Sequence, residues 1–253
     1  MIKTKLSGAI FLIASVGASA VLAETEAAAV KLAGGVNLTP YVNLDVLYDD
    51  NVANAESDEI DSWVTIINPG FMLSAENGKS AYKLNYSLTR GDYYSSDEDN
   101  FTDQEVTADA AWELTARHRL GLLGSYLDGH EARGSGFSQG GGAALNEPDQ
   151  YQDTDIQARY GFGVETASGH FNVDLGTKER DFEGGARTAT RDRTTDYGGV
   201  TFRYNTGNKT ELLAEISHRD IAYDFTTAGV ATLDSTETDY LVGVTWEGTA
   251  KTS

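Results

Sequence analysis

The chain has 253 residues, with 39 acidic against 19 basic side chains, a formal net charge of -20 and no cysteine. This length suits one domain or two small ones, the missing thiols exclude disulfide scaffolds, thiolate metal sites and lipid anchoring on cysteine, and the acid excess argues against nucleic acid, whose phosphates need clustered Lys and Arg. A hydrophobic fraction of 40% is too low for a bundle of membrane helices, and 27 glycines with only 3 prolines point to an all-β protein.

The first element is a leader. Lys3 and Lys5 give a short positive start, and residues 6–22 are almost wholly apolar or small. Val21-Leu22-Ala23 before Glu24 fits the small-residue rule of a signal peptidase, with Ala18-Ser19-Ala20 as second choice. The alternative is an N-terminal anchor, but the apolar run is short and rich in Ala, Gly and Ser. Residues 1–23 are therefore expected to be cleaved between Ala23 and Glu24, leaving 17 basic residues and a charge of -22. Residues 24–35 form a short periplasmic segment. No later stretch reaches the roughly 18 apolar residues of a spanning helix.

From Val36 onward the dominant period is two. In residues 36–48, Val36, Leu38, Pro40, Val42, Leu44, Val46 and Tyr48 alternate with Asn37, Thr39, Asn43 and Asp45. Side chains of a strand alternate between faces, so one face is apolar and the other polar. The pattern recurs over 63–75, 81–93, 104–116, 120–128 (weaker, because Leu123 and Leu127 compete with Leu120, Leu122 and Tyr126), 154–166, 171–182, 197–205, 210–223 and 238–247. Many of these ten segments exceed the roughly 5–6 residues of an ordinary strand, whereas a membrane β-strand needs about 9–11.

The connections alternate too. Those at 76–79, 117–119, 167–170 and 206–209, and the start of 248–253, are tight, and Asn77-Gly78 is a strong hairpin signal. Those at 49–62, 94–103, 129–153, 183–196 and 224–237 are long. Short periplasmic turns and long external loops are the signature of outer-membrane barrels. It places the mature N-terminus in the periplasm. Aromatic residues near segment ends fit interfacial girdles, with Phe71, Tyr82, Trp112, Phe171 and Trp246 inside and Tyr48 and Trp63 outside. The expected fold is an all-β, antiparallel up-and-down transmembrane β-barrel over residues 36–253, with about ten strands present. The competing reading, a secreted β-sandwich or lectin-like fold, predicts shorter strands around a buried aromatic core. Residues 249–253 resemble a turn opening another hairpin, and the last segment lacks a terminal aromatic residue. Both features suggest part of a larger barrel, since an unclosed sheet would bare its edges to lipid.

Several pieces carry a family resemblance: Tyr48-Asp49-Asp50-Asn51-Val52, Ile67-Asn68-Pro69-Gly70, the run from Tyr126 to Gly134, Val244-Thr245-Trp246-Glu247 and Lys251-Thr252-Ser253. The chain resembles the outer-membrane β-barrel porins encoded with exopolysaccharide and capsule genes, the β-barrel porin 2 type. Members of that family are longer. The resemblance implies a role in moving polysaccharide across the bacterial outer membrane. Its implied partners are outer-membrane lipid and lipopolysaccharide, a polysaccharide substrate and periplasmic export proteins.

The polar face carries the candidate lumen-lining groups. Acidic members are Asp45, Glu105, Asp109, Glu113, Asp155, Glu165, Asp174, Glu211, Glu215 and Asp239; basic members are Lys83, Arg159, Lys178, Arg180, Arg203 and Arg219. Such a wall holds water and offers hydrogen bonds to sugar hydroxyls, or its members pair across strands and merely stabilise a wet lumen. Tyr41 and Tyr197, on the same face, either stack on sugars or pack. The acidic loops at 49–62 and 94–103 have oxygen ligands for calcium but no EF-hand spacing, and otherwise read as solvated loops beneath a calcium-bridged lipopolysaccharide layer. The connection at 129–153 reads as an inward lid or as a mobile loop, and its Gly140-Gly141-Gly142 lacks the lysine and helix of a phosphate cradle. No catalytic constellation and no cofactor is expected. His118 and His170 fall in tight turns, His218 faces the apolar side, and only His130 lies near a carboxylate, Asp128 or Glu131, as in outer-membrane proteases that place Asp and His at the rim.

Mass spectrometry of the exported protein is expected to find Glu24 as its first residue; an intact Met1–Ala23 segment in the outer membrane would contradict the leader reading.

Overall fold

The computed structural model describes residues 29–164, 167–207, 209–225 and 231–246. Eleven strands form one antiparallel sheet in simple chain order: β1 (Val30–Lys31), β2 (Val36–Asp49), β3 (Ser62–Asn77), β4 (Ser80–Tyr93), β5 (Phe101–Thr115), β6 (His118–Glu131), β7 (Asp149–Phe162), β8 (Gly169–Phe182), β9 (Arg193–Asn205), β10 (Thr210–Tyr223) and β11 (Ser235–Trp246). Ten are the expected alternating segments. The eleventh, β1, lies in the segment expected to be an N-terminal tail and pairs with β2. No pairing joins β11 to β1 or β2 among the described residues, so the sheet is not closed. Among those residues no helix is long and apolar enough to cross a membrane. The leader and its Ala23–Glu24 junction, Glu165, Asn208, Glu247 and the last residues of the chain lie outside the described residues.

The register keeps the two faces apart. Leu44 pairs with Ile67, Leu73 with Leu84, Val173 with Val200, and Leu212 with Val244. All of these lie on the apolar face. That face is not buried: Val42, Leu44, Leu122, Ile156, Leu175, Val200, Ile216, Val242 and Val244 are all exposed. Among the described residues the buried hydrophobic ones are Val52, Ala53, Val64 and Phe182, all at one end of the sheet. A β-sandwich would inter its leucines and valines between two sheets. Here they coat a surface, as required where hydrocarbon is the solvent.

The strands of β2–β11 run 12–16 residues, longer than several of the alternating segments. β6 continues to Glu131, β7 begins at Asp149 and β9 at Arg193. The extra residues lie at the external ends, where the outer face itself becomes polar. In β9 the outward series Tyr204, Phe202, Val200 and Gly198 ends in Asp196 and Thr194. Asp128 pairs with Gln152 and Gln152 with Asp181 in the same outer row. Hydrophobic alternation marks only the part of a strand that meets lipid, so the ladder outlasts the signal. A strand of this length spans roughly 40–50 Å, against an apolar band about 25 Å tall.

Aromatic pairs frame the band. Trp112 Nε1 donates to Tyr82 Oη at 3.0 Å, and Phe162 packs on Phe171 at 5.3 Å, at the end of the tight turns. Tyr48 packs on Trp63 at 5.4 Å at the other end. His118 and His170 belong to strands rather than turns. His118 bonds the Tyr160 hydroxyl at 2.6 Å in the aromatic girdle at the tight-turn end. The β3–β4 hairpin closes on Gly78-Lys79 with φ +57° at Gly78, the pattern of a II′ turn, one residue beyond the Asn-Gly pair.

Proline inside a central strand deprives the ladder of a donor. Opposite Pro69, the Leu88 carbonyl accepts instead from Asn68 Nδ2 at 3.0 Å, which also donates to Thr89 Oγ1 at 2.8 Å. The next residue, Gly70, leaves the space taken by the Tyr41 ring, which a Cβ there would meet at 2.3 Å. The Asn-Pro-Gly run thus keeps β3 in register.

Replacing Val200, in the middle of the outward belt, with Arg is expected to destabilise the membrane-inserted fold by about 2–4 kcal/mol, while Thr201→Arg on the opposite face costs little. Urea titration of folding into vesicles measures both; equal costs would show that the faces are not distinguished by lipid.

Candidate functional site

The polar face is the inner one, because loop residues fold over it at the external end. Arg191 donates to Glu131 of β6 and lies 3.7 Å above the Phe182 ring of β8. Arg187 pairs with Asp149 of β7.

All the described candidate lumen residues share this face. Lys83 stands opposite Asp109, Asp155 opposite Lys178, Arg159 opposite Asp174, and Glu215 opposite Thr201. Asp45, Glu105 and Glu113 fall on the same side by register. Much of the charge is paired within the wall. Arg159 binds Asp174, Arg203 binds Glu211 at 2.9 Å, and Arg219 binds Glu237 at 3.2 Å. Arg180 and Lys178 share Asp153, a carboxylate hidden to the sequence reading within the long connection. Asp239 and Glu215 line a trough of about 720 Å³ on the inner side of β7–β11, with Arg159, Lys178, Arg180 and Arg219.

The two inward tyrosines lie flat on the wall. Tyr197 covers Gly176, where a Cβ would meet the ring at 2.4 Å, and donates to Asp155 at 2.7 Å. Tyr41 covers Gly70 in the same way, and Phe101 covers Gly91. An aromatic ring laid over a cross-strand glycine fixes register by packing. In this pose Tyr197 still turns one face toward the trough it lines.

The external loops are folded and carry most of the buried polar groups. Arg133, 4% exposed, grips Asp99, 3% exposed, through Nε at 2.7 Å and through Nη2. Its Nη1 donates to the Leu145 carbonyl at 3.0 Å, and Nη2 to Ser96 Oγ at 3.1 Å. The pairing with Asp99 pushes the Arg133 pKa up, against the opposing effect of burial. Asn54 Nδ2 reaches the Arg133 carbonyl at 3.3 Å. Gly142 and Gly134 bring their backbones against Ala53, where any Cβ would collide with its carbonyl. The loops at 50–61, 94–100 and 132–148 are therefore tied together, and 183–192 closes on the inner wall beside them. The long connection, left open between an inward lid and a mobile loop, is folded against the neighbouring loops, and of its three consecutive glycines Gly142 is the one that serves close packing.

Two expectations change here. The carboxylate beside His130 is Asp103, at 2.8 Å, and not Asp128 or Glu131; the ring also stacks on Phe101 at 3.9 Å. The acids at 94–103 are partly engaged internally, Asp99 by Arg133 and Asp103 by His130.

Residues 28–253 match the family model described as "Putative beta-barrel porin 2". The chain belongs to this family. It is an outer-membrane β-barrel protein of the porin kind. Its fold is similar to that of OmpT, an outer membrane protein of Vibrio cholerae folded in vitro and solved in trimer form, at 12% identity and a TM-score of 0.48. The similarity covers 83% of this chain and 64% of that one, so the chain spans less than two thirds of that structure's length. No curated protein matches the sequence.

Sequence reasoning placed the wall residues but missed Asp153, Arg133 and Arg193, because they lie in runs without alternation. Arg133→Ala, which leaves Asp99 buried without its cation, is expected to cost about 3–5 kcal/mol locally. Limited proteolysis of intact cells should then cut within 132–148. The Asp99→Ala, Arg133→Ala double variant should be less damaged than the sum of the singles; strict additivity would show that the pair does not hold the loops.

Proposed function

We propose that this β-barrel porin 2 protein is a passive, water-filled conduit through the outer membrane for hydrophilic saccharides, and that its cargo is an exopolysaccharide or capsular polysaccharide leaving the cell. The observation that carries the reading is the separation of faces: valines and leucines clothe the lipid side, while the inner wall is lined by charged and hydroxyl groups held in cross-strand pairs. Such a wall offers donors and acceptors to sugar hydroxyls without a deep apolar pocket that would trap them. A paired wall also keeps its charges in fixed places, which favours transit over tight capture. Synthesis at the inner membrane and periplasmic export proteins would drive the polymer, since nothing in the wall is arranged to do work on it. The folded external loops would set the size of the exit.

A general diffusion porin is the second reading, favoured by the same wall, because hydrated charges also pass small solutes. Deletion of the gene separates the two. Export predicts loss of surface or secreted polymer with unchanged uptake of small sugars. Diffusion predicts normal polymer with reduced small-solute permeability, and that result would overturn the export reading.

A further inference from the structure

The trough inside β7–β11 gathers cationic side chains in an acidic protein. Its lining has five cationic side chains against three carboxylates. Four of the five are held by acids of the wall: Arg159 by Asp174, Lys178 and Arg180 by Asp153, and Arg219 by Glu237. The fifth is Arg193, at the start of β9. Its Nη1 donates to the Arg191 carbonyl at 3.2 Å, and it forms no ion pair among the described residues. The register sets Arg193 directly opposite Arg180 on the neighbouring strand. Like charges in that position destabilise a sheet unless something lies between them. Asp153, in the same row of the sheet, is already shared by two cations, and the trough carboxylates Glu215 and Asp239 stand opposite positions further along β9, away from Arg193.

The surroundings narrow the chemistry of the missing counter-charge. A guanidinium fork matches a carboxylate or phosphate group. Thr195, Ser217 and Thr201 line the same trough with hydroxyls, and Tyr197 offers a ring face two inward positions along β9 from Arg193. That separation is roughly 13 Å along a strand, longer than one sugar and suited to a short chain of them. Aromatic faces and hydroxyls recognise sugars, and the arginine recognises their acid groups.

We propose that Arg193, with Arg180 and Lys178 beside it, forms a subsite for the carboxylate of a uronic-acid residue, and that the chain of sugars it belongs to runs down the trough over Tyr197. The proposal rests on the conduit reading and deepens it, because it makes the cargo an acidic saccharide. The carboxylate sits between the opposed guanidinium groups and relieves their repulsion; neutral sugars gain nothing there. The site lies at the external end of the wall, beneath the loop at 183–192, where it would meet an acidic chain at the exit.

The test uses the full chain in detergent micelles, with trigalacturonate, maltotriose, galacturonate and inorganic phosphate as probes in titration calorimetry. Trigalacturonate is expected to bind about tenfold or more tightly than maltotriose, the size of one charge-assisted hydrogen-bonded contact. Arg193→Gln should abolish that preference, and Arg193→Lys should keep part of it. Heat-modifiable gel migration checks that each variant is folded. Arg117→Gln, in the tight turn at the other end of the sheet, should change nothing. Equal binding of the two trisaccharides by the unaltered protein, or a preference that survives Arg193→Gln, overturns the proposal. So does equal binding of phosphate, galacturonate and trigalacturonate, which would show an anion site blind to sugar. Passage of neutral sugars into protein-loaded vesicles, measured in parallel, keeps the two readings apart: no passage at all overturns the conduit, whereas passage without acid preference overturns the subsite alone.

Discussion

Everything in this molecule follows from having two solvents on opposite sides of one sheet. A soluble β-protein folds to hide its valines and leucines from water. This one spreads them over a single outer surface and, among the described residues, has almost no hydrophobic interior, the buried apolar side chains there being Val52, Ala53, Val64 and Phe182. Stability in the membrane then comes from backbone hydrogen bonds that no lipid can replace, and from cross-strand pairs on each face. The price of a faulty ladder is accordingly high, and the sheet repairs its faults locally. Asn68 supplies the donor that Pro69 lacks, and Tyr41, Phe101 and Tyr197 fill the gaps over Gly70, Gly91 and Gly176.

Above the lipid the constraint changes. The strands continue upward with polar residues on both faces, and the loops there build a small aqueous core of their own. That core is polar. Arg133, Asp99 and Ser96 satisfy one another in near-complete burial, while Arg187 and Arg191 tie the loop at 183–192 to Asp149 and Glu131 of the wall. Buried ion pairs of this kind are a weak source of net stability but define one arrangement well, because removing either partner leaves a charge stranded. The ties therefore hold the loops in one arrangement over the end of the wall.

The same geometry explains why short sequence motifs separated by some 80 residues belong together. Asn51 and Val52 follow β2, and Arg133 and Gly134 follow β6, yet the two runs meet at the loop cap. Asn51 folds its own loop by bonding both the amide and the carbonyl of Ala55 at 2.8 Å. That loop then delivers Asn54 to the Arg133 carbonyl and packs Ala53 against Gly134. Neither run shows, when read alone, why glycine or arginine is needed there.

The fold class, the number of long strands and the assignment of the described wall residues to a face were legible in the sequence. A period of two is a direct record of a solvent boundary: hydrocarbon demands an apolar group at every second position, and water permits almost anything between. Lys83, Asp109, Arg159 and Glu215 could be placed on the wall for that reason alone. Strand ends were not legible, since Asp128, Asp149 and Arg193 lie where both faces are wet and no alternation is imposed. Nor were the partnerships. That Asp153 serves both Arg180 and Lys178, that His130 finds Asp103, that Arg133 finds Asp99 and that Arg193 faces Arg180 all depend on register and loop packing, which bring together residues that no local pattern connects.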